Sequence, residues 1–107
     1  MSNILNQQAE IARPNKYDSD PIFRNRWSPR AMTGETVPKE DFMAMLEAAH
    51  WAPSAYNNQP WRFIYAFKGT PEFDKFFDLL VKQNQAWCEN AAVLIVIAGK
   101  TILDHNG

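Results

Sequence analysis

Two short strand-like segments, residues 61–67 and 93–98, most constrain the fold of this chain. In the first, aromatic residues occupy every second position, the period of a strand with two different faces. The second is a continuous apolar run, mostly β-branched, typical of a strand covered on both faces in the centre of a sheet. Two strands rarely hold together alone. We therefore expect a larger sheet, and a chain that is truncated relative to the whole fold.

Three helices are predicted around these strands. Residues 38–52 carry apolar side chains at spacings of three and four, the period of an amphipathic helix. Asp20 and Thr70 each precede a proline, which is the pattern of an N-cap followed by the first helical residue. Residues 82–89 are mostly polar, and we expect an irregular connection there. The combination predicts an α+β fold.

The N-terminal residues differ from the remainder in composition. Residues 1–19 are rich in Asn, Gln and Ala with only a weak helical pattern, so they are predicted to form an arm. Residues 20–107 are predicted to belong to a single domain. A net charge of −1 provides no basic surface for nucleic acid or an anionic membrane, and the longest apolar run is too short to cross a bilayer. A small-molecule partner is favoured.

Cysteine and histidine usage excludes two further classes of site. Cys88 is the only cysteine in the sequence, which precludes an intrachain disulfide and favours a reducing, cytoplasmic setting. His50 and His105 are isolated, and no cluster has the spacing of metal ligands. We therefore expect no metal site, and interpret Cys88 as a small core residue and His50 as a packing residue.

The first candidate site is the basic segment, residues 26–30. Arg26, Ser28 and Arg30 occupy alternate positions, so in extended backbone they would share one side, with neighbours roughly 6 to 7 Å apart. Arginine suits phosphate because its planar fork matches the phosphate oxygens. The alternative is that both arginines are solvated or pair with Glu35 and Asp41.

The second candidate site is the segment 52–61, in which the 53–60 loop joins the predicted helix to the aromatic strand. Its small and amide-bearing residues can bring backbone groups against a flat ligand. The alternative is an ordinary polar connection in which Asn57 and Asn58 are turn formers. The chain has only four glycines and no glycine-rich phosphate loop, which argues against a Rossmann or P-loop nucleotide site.

The two candidate sites together resemble the nitroreductase family. The family pattern is Arg-x-Ser-x-Arg or Lys, then a helix, then Pro-Ser-x-x-Asn-x-Gln-Pro-Trp. Here its fixed positions are Arg26, Ser28, Arg30, Pro53, Ser54, Asn57, Gln59, Pro60 and Trp61. The resemblance covers residues 20–101 and implies a nitroreductase-like fold, a mixed central sheet flanked by helices, present here as its N-terminal half.

The resemblance also implies which residues would contact FMN. Arg26, Ser28 and Arg30 would hold the phosphate and part of the ring, with Trp27 contributing through its backbone, although many family members carry a basic or imidazole residue there. The loop would reach the flavin from the other subunit of a homodimer through Pro53, Ser54, Ala55 and Asn57. Asn84 is the nearest match to an asparagine that contacts the ring, with Gln83 as the alternative.

An FMN-dependent enzyme is the function that the resemblance implies. NADH or NADPH would be the co-substrate, and a nitroaromatic, quinone or similar small molecule would accept the electrons in a ping-pong scheme. The cofactor carries such chemistry, so no catalytic side chain is assigned. The alternatives are a non-catalytic flavin-binding or storage protein, a scaffold without ligand, or a family relative that dehalogenates substrates or fragments the flavin.

Overall fold

The computed structural model describes residues 11–102. The chain divides into two compact units, Met1–Arg30 and Ala31–Gly107. Part of the predicted arm, residues 1–10, lies outside the described residues, as does the end of the chain from residue 103. The predicted domain boundary at residue 20 stays a prediction.

A short helix in the first unit, α1 (Pro21–Asn25), begins as the sequence predicts. The Asp20 carboxylate accepts a hydrogen bond from the backbone N–H of Ile22 at 2.9 Å. Pro21 occupies the first helical position, where its missing N–H removes no intrahelical bond. The backbone returns to the extended region at Arg26, so α1 ends where the basic segment starts.

The second unit contains the sheet and most of the helices. Its regular elements, in chain order, are α2 (Lys39–His50), a 3₁₀ turn (Ala55–Asn57), β1 (Trp61–Phe67), α3 (Pro71–Asp78), α4 (Lys82–Cys88) and β2 (Val93–Gly99). The predictions of α2, β1 and α3 are confirmed to within two residues at each described end.

The two strands pair with each other in antiparallel register. Trp61 lies opposite Gly99, and Phe67 lies opposite Val93. The backbone N–H of Lys100 donates to the carbonyl of Pro60 at 2.9 Å, just before the register starts at Trp61. The ladder therefore begins immediately after the 53–60 loop and fixes the C-terminal end of that loop.

The core of the second unit forms where α2 meets the aromatic face of β1. Phe42 is only 2% exposed, and its ring makes edge contacts with Tyr65 at 4.8 Å and Phe67 at 5.4 Å between centroids. Edge-to-face geometry is the favoured arrangement for aromatic rings. This cluster holds the helix before the loop against the strand after it, so the loop is anchored at both ends.

The helix α3 packs against both strands. Its apolar stripe points inward, since Phe73 is buried and Phe76 and Phe77 are half-buried. The Thr70 hydroxyl accepts from the N–H of Phe73 at 3.3 Å and donates to the carbonyl of Phe67 at 2.7 Å. One side chain thus caps α3 and ties it to the end of β1, which confirms the predicted cap.

Replacing Thr70 with alanine should destabilise the second unit by about 1 to 2 kcal/mol, because an N-cap bond typically contributes that much and a second bond is lost with it. Urea denaturation followed by tryptophan fluorescence measures the change. Thr70→Ser keeps both hydroxyl bonds and is the matched control. A Thr70→Ala chain as stable as wild type would contradict the role of the cap.

The prediction of an irregular connection at residues 82–89 was wrong. Residues 82–88 form the helix α4, whose first turn begins with bonds from Asn84 and Gln85 N–H to the Val81 carbonyl. The Gln85 side chain also donates to the carbonyls of Phe77 and Leu80, both at 3.1 Å. The polar residue Gln85 therefore connects α4 to the end of α3. The polar composition of residues 82–88 did not indicate a helix, because contacts with the preceding residues stabilise it.

The second strand is present but is not covered on both faces. Ile95 and Val96 are each 40% exposed, and Ile97 is 68% exposed. Among residues 11–102, β1 is the only strand that pairs with β2. The apolar run predicted the strand correctly. The predicted burial of its side chains on both faces would require further elements that cover those faces.

The single cysteine lies in the core at the end of α4. Cys88 is 7% exposed, and burial raises the pKa of its thiol because the thiolate would lose its hydration. We expect iodoacetamide to label the folded chain on the order of tenfold more slowly than the urea-unfolded chain, since the thiolate is the reactive form. Equal rates, measured by mass spectrometry at pH 8, would contradict the burial.

The raised pKa of Cys88 also makes the free energy of unfolding depend on pH. The unfolded chain ionises Cys88 first, near a pH of about 8.5, while the folded chain retains the proton to higher pH. The contribution of the neutral thiol is therefore fully present below that pH and falls as the pH rises above it. Cys88→Ala should remove this part of the alkaline decline, as measured by urea midpoints between pH 7 and 10.

Candidate functional site

The basic segment leaves α1 in extended backbone. Arg26 has φ −73° and ψ 133°, and its carbonyl accepts a hydrogen bond from the Arg13 guanidinium at 2.7 Å. Arg13 also approaches the carbonyl of Arg24 at 3.4 Å. A cation near the last carbonyls of a helix is favourable. Arg13 thus steadies the backbone from which Arg26 projects, a role that no sequence motif indicated.

The side chains of the basic segment form an accessible set of donors. Arg26, Ser28 and Arg30 are all exposed. Each guanidinium offers five N–H donors, and the hydroxyl offers one more. Trp27 is 45% exposed, and Pro29 is half-buried. The segment has the charge and the donors to bind an anion with several oxygens.

The 53–60 loop contains a cluster of left-handed backbone conformations. Three residues that are not glycine have positive φ, namely Tyr56 at 52°, Asn57 at 54° and Gln59 at 46°. Asparagine tolerates this region, but tyrosine and glutamine rarely adopt it. Each such residue costs roughly 1 to 3 kcal/mol, and such outliers concentrate at ligand-binding sites. The loop is therefore a functional candidate on its backbone alone.

Hydrogen bonds across the loop hold that conformation. The Ser54 hydroxyl oxygen accepts from the backbone N–H of Gln59 at 2.9 Å, which closes the loop on itself. The Gln59 side chain donates to Asn57 Oδ1 at 3.2 Å, and the Asn58 amide donates to the Ala55 carbonyl at 2.7 Å. Ser54 keeps its hydroxyl proton, and Asn57 keeps its two N–H donors, for an external partner.

Arg62, the second residue of β1, supports the end of the loop. Its guanidinium donates to the carbonyls of Gln59 at 3.0 Å and Trp61 at 2.7 Å. It therefore fixes the carbonyl of Gln59, which is itself a left-handed residue. No sequence motif indicated this role of Arg62. A basic residue directly after a loop of small and amide-bearing residues is the sequence signal that could have indicated it.

Asn84, the remaining predicted site residue, lies on α4 and is exposed. Its Oδ1 accepts a weak hydrogen bond from the Trp87 indole at 3.4 Å, so its amide N–H groups remain available as donors. Gln83, the alternative at this position, is exposed on the same helix. The geometry of α4 is thus compatible with either assignment.

The predicted site residues fall into three groups. Arg26, Trp27, Ser28 and Arg30 lie together in the first unit, whereas the loop residues and Asn84 belong to the second. Within the loop, Pro53, Ala55 and Asn57 are exposed, and Ser54 is half-buried. In the part of the chain that the structure describes, no three His, Cys, Asp or Glu side chains are grouped to hold a metal ion.

The basic segment and the 53–60 loop both lie in a region that matches one known protein family. The model of the nitroreductase family matches residues 23–105, a range that includes the basic segment, the 53–60 loop and both strands. The chain belongs to the nitroreductase family. The resemblance seen in the two motifs is therefore confirmed over most of the sequence.

Solved structures of relatives have the same fold. The chain is 47% identical to an oxidoreductase containing FMN, with a TM-score of 0.80 over 88% of this chain and 48% of the other. It is 30% identical to a provisionally named nitroreductase from Desulfovibrio desulfuricans, solved in complex with FMN, with a TM-score of 0.63 over 91% and 47% of the two chains. The predicted α+β, nitroreductase-like fold is confirmed.

A curated relative matches over a shorter stretch. The Bacillus subtilis (strain 168) protein YfhC, provisionally named an NAD(P)H nitroreductase, is 43% identical over 49 residues, which are 46% of this chain and 25% of YfhC. The chain therefore spans about half the length of the solved relatives, and its match covers a quarter of the curated one. No helix within residues 11–102 is long and apolar enough to span a membrane.

Proposed function

We propose that this chain is the N-terminal part of an FMN-dependent oxidoreductase that passes electrons from NADH or NADPH to a nitroaromatic, quinone or similar acceptor. The observation that carries the proposal is the family match across both candidate segments. The two solved relatives contain FMN, and YfhC is provisionally named an NAD(P)H nitroreductase.

The basic segment fits the phosphate of FMN. A phosphate presents several anionic oxygens, and Arg26, Ser28 and Arg30 are all exposed at alternate positions of the segment. The planar guanidinium of arginine binds two such oxygens at once. Its charge-assisted hydrogen bonds are shorter and stronger than those from neutral donors. We assign these three side chains to the phosphate, and the backbone of Trp27 to the adjoining part of the cofactor.

The 53–60 loop fits a flat ring at a subunit interface. Pro53, Ser54, Ala55 and Asn57 would reach the flavin of the partner subunit in a homodimer, with donors from the Ser54 hydroxyl and the Asn57 amide. The strained backbone of the loop supports this assignment, because a conformation stabilised by internal bonds is already organised to receive a ligand. Asn84 would add a polar contact from α4.

FMN held by Arg26, Ser28 and Arg30 would supply the redox chemistry of a ping-pong reaction between NAD(P)H and the acceptor. The residues of this chain would bind and orient the cofactor and keep water away from it. No side-chain nucleophile or general base is needed for such a role. The buried, unpaired Cys88 fits a reducing compartment, and we place the protein in the cytoplasm.

Anaerobic reduction of reconstituted protein tests the proposal. The 107-residue chain is incubated with FMN, passed through gel filtration, and mixed with NADH or NADPH under nitrogen. We expect flavin to elute with the protein at the size of a dimer, and its visible absorption to bleach within seconds. Re-oxidation by nitrobenzoate or benzoquinone should then restore the colour.

Three results would contradict parts of the proposal. Flavin that elutes with the protein but is not bleached by either nucleotide would favour a flavin-binding or storage protein instead of a reductase. Protein that elutes without flavin at micromolar FMN would contradict binding by this chain. Elution of the flavin complex as a monomer, measured by light scattering, would reject the shared interface.

A further inference from the structure

The helix α1, from which the basic segment continues, receives little support from burial. None of its residues is buried, and Ile22 and Phe23 are 68% and 75% exposed. Helices shorter than about 12 residues are marginal when tertiary packing does not stabilise them, and α1 has five residues. Polar contacts at its two ends, such as the Asp20 cap, therefore decide how firmly the basic segment is held.

Arg13 makes the contact at the C-terminal end of α1. Its Nη1 donates to the Arg26 carbonyl at 2.7 Å and lies 3.4 Å from the Arg24 carbonyl. The Arg26 carbonyl carbon is bonded to the Cα that carries the Arg26 side chain, so a bond to its oxygen restricts rotation about ψ at Arg26. Both acceptors are neutral, and the Arg13 guanidinium keeps its charge. Arg13 therefore limits the directions in which the Arg26 side chain can extend.

The residues around Arg13 have a local excess of positive charge. Residues 11–30 contain five arginine and lysine side chains and two aspartates, whereas the whole sequence has a net charge of −1. Like charges at this density repel one another, and an anion bound among them relieves the repulsion. A contact that places a further guanidinium beside the Arg26 backbone is therefore more favourable with a phosphate bound than without one.

The position of Arg13 separates it from the family motif. The family model begins to match at residue 23, so Arg13 lies outside the matched range. We propose that Arg13 is a positioning residue for FMN, which holds Arg26 so that its guanidinium meets the phosphate, and does not itself contact the phosphate. This inference rests on the proposed function, since the assignment of Arg26 to the phosphate comes from there.

A double-mutant cycle tests whether Arg13 acts through Arg26. The FMN dissociation constant is measured by flavin fluorescence for the wild type, Arg13→Ala, Arg26→Ala and the double variant. Riboflavin, which has the same ring but no phosphate, is titrated into the same proteins. Lys16→Ala is the matched control, because it also removes one exposed cation from the first unit, while the Lys16 ammonium contacts the Tyr17 ring.

We expect Arg13→Ala to weaken FMN binding by about 5- to 10-fold, the effect of one charge-assisted hydrogen bond that acts through another residue. In the Arg26→Ala background the same change should matter by less than about twofold, because residues that act as one unit are not additive. Riboflavin binding by Arg13→Ala, and FMN binding by Lys16→Ala, should each change by less than about twofold. Arg13→Lys should keep part of the affinity, since an ammonium still donates to a carbonyl, and it allows the comparison if Arg13→Ala does not fold.

Each alternative role of Arg13 gives a different result. A loss that is equal with and without Arg26 would mean that Arg13 binds the phosphate directly or acts through its charge alone, which overturns the positioning role. An equal loss for riboflavin and FMN would mean that Arg13 only stabilises the fold, which also overturns it. If Arg13→Ala binds FMN as the wild type does, this inference is wrong and the proposed function stands. A wild-type chain that binds no FMN overturns both.

Discussion

Replacing Arg26 and Arg30 together with alanine is expected to weaken FMN binding by about 3 to 6 kcal/mol. Charge-assisted hydrogen bonds contribute roughly 1.5 to 3 kcal/mol each, and the variant loses one or more from each guanidinium. This corresponds to roughly a hundredfold to ten-thousandfold increase in the dissociation constant. Titration of FMN fluorescence, which protein binding alters, measures the change directly.

Two control variants distinguish the effect of the planar guanidinium on FMN binding from the effect of charge alone. Arg26→Lys with Arg30→Lys keeps both charges but loses the planar forks, so an intermediate loss is expected. Lys75→Ala with Lys82→Ala removes two exposed charges from α3 and α4 and should leave the affinity within about threefold, since neither lysine is assigned to the phosphate and solvent screens exposed charges. Equal affinity of the double-alanine arginine variant and wild type would remove the basic segment from the site.

Truncating Phe42 to alanine is expected to destabilise the second unit by about 3 to 5 kcal/mol. The ring is nearly fully buried, and losing it removes two edge contacts and leaves a cavity. A chain of this length is typically stable by only about 5 to 15 kcal/mol. Urea denaturation should show the midpoint falling sharply, with FMN binding weakened because α2 no longer anchors the loop.

The control lies one turn along the same helix. Met45 is 60% exposed, so Met45→Ala should change stability by less than about 1 kcal/mol. Phe42→Leu fills part of the space and should cost less than the alanine variant, which keeps the comparison possible if Phe42→Ala does not fold. Similar midpoints for Phe42→Ala and Met45→Ala would show that the core lies elsewhere.

Local sequence patterns predicted the helices and strands of this chain more reliably than the tertiary contacts around them. The alternation of aromatic residues identified β1 because a strand's side chains have a strict period of two. The proline after Thr70 located the start of α3, because a cap and a fixed φ act within one turn. In α4, by contrast, the helix depends on bonds from Gln85 to the preceding helix, and no local pattern contains them.

The candidate site was predictable as a set of residues but not as a conformation. The spacing of Arg26, Ser28 and Arg30, and the amides around Asn57, indicated where a ligand binds. Nothing in the sequence indicated that Tyr56 and Gln59 adopt the left-handed region, since neither residue favours it. That conformation follows from bonds within the loop and from Arg62, which only the folded backbone brings together.

The exposed strand β2 specifies what can complete the sheet beside it. In the antiparallel register, Ile95 and Ile97 lie on the face of Tyr65 and Phe63, while Val96 lies on the opposite face. A strand that joins the outer edge therefore meets apolar side chains above and below. A segment that alternates apolar with polar residues would place its polar side chains beside the apolar ones of β2 on one face. The edge thus selects a neighbour that is apolar at consecutive positions.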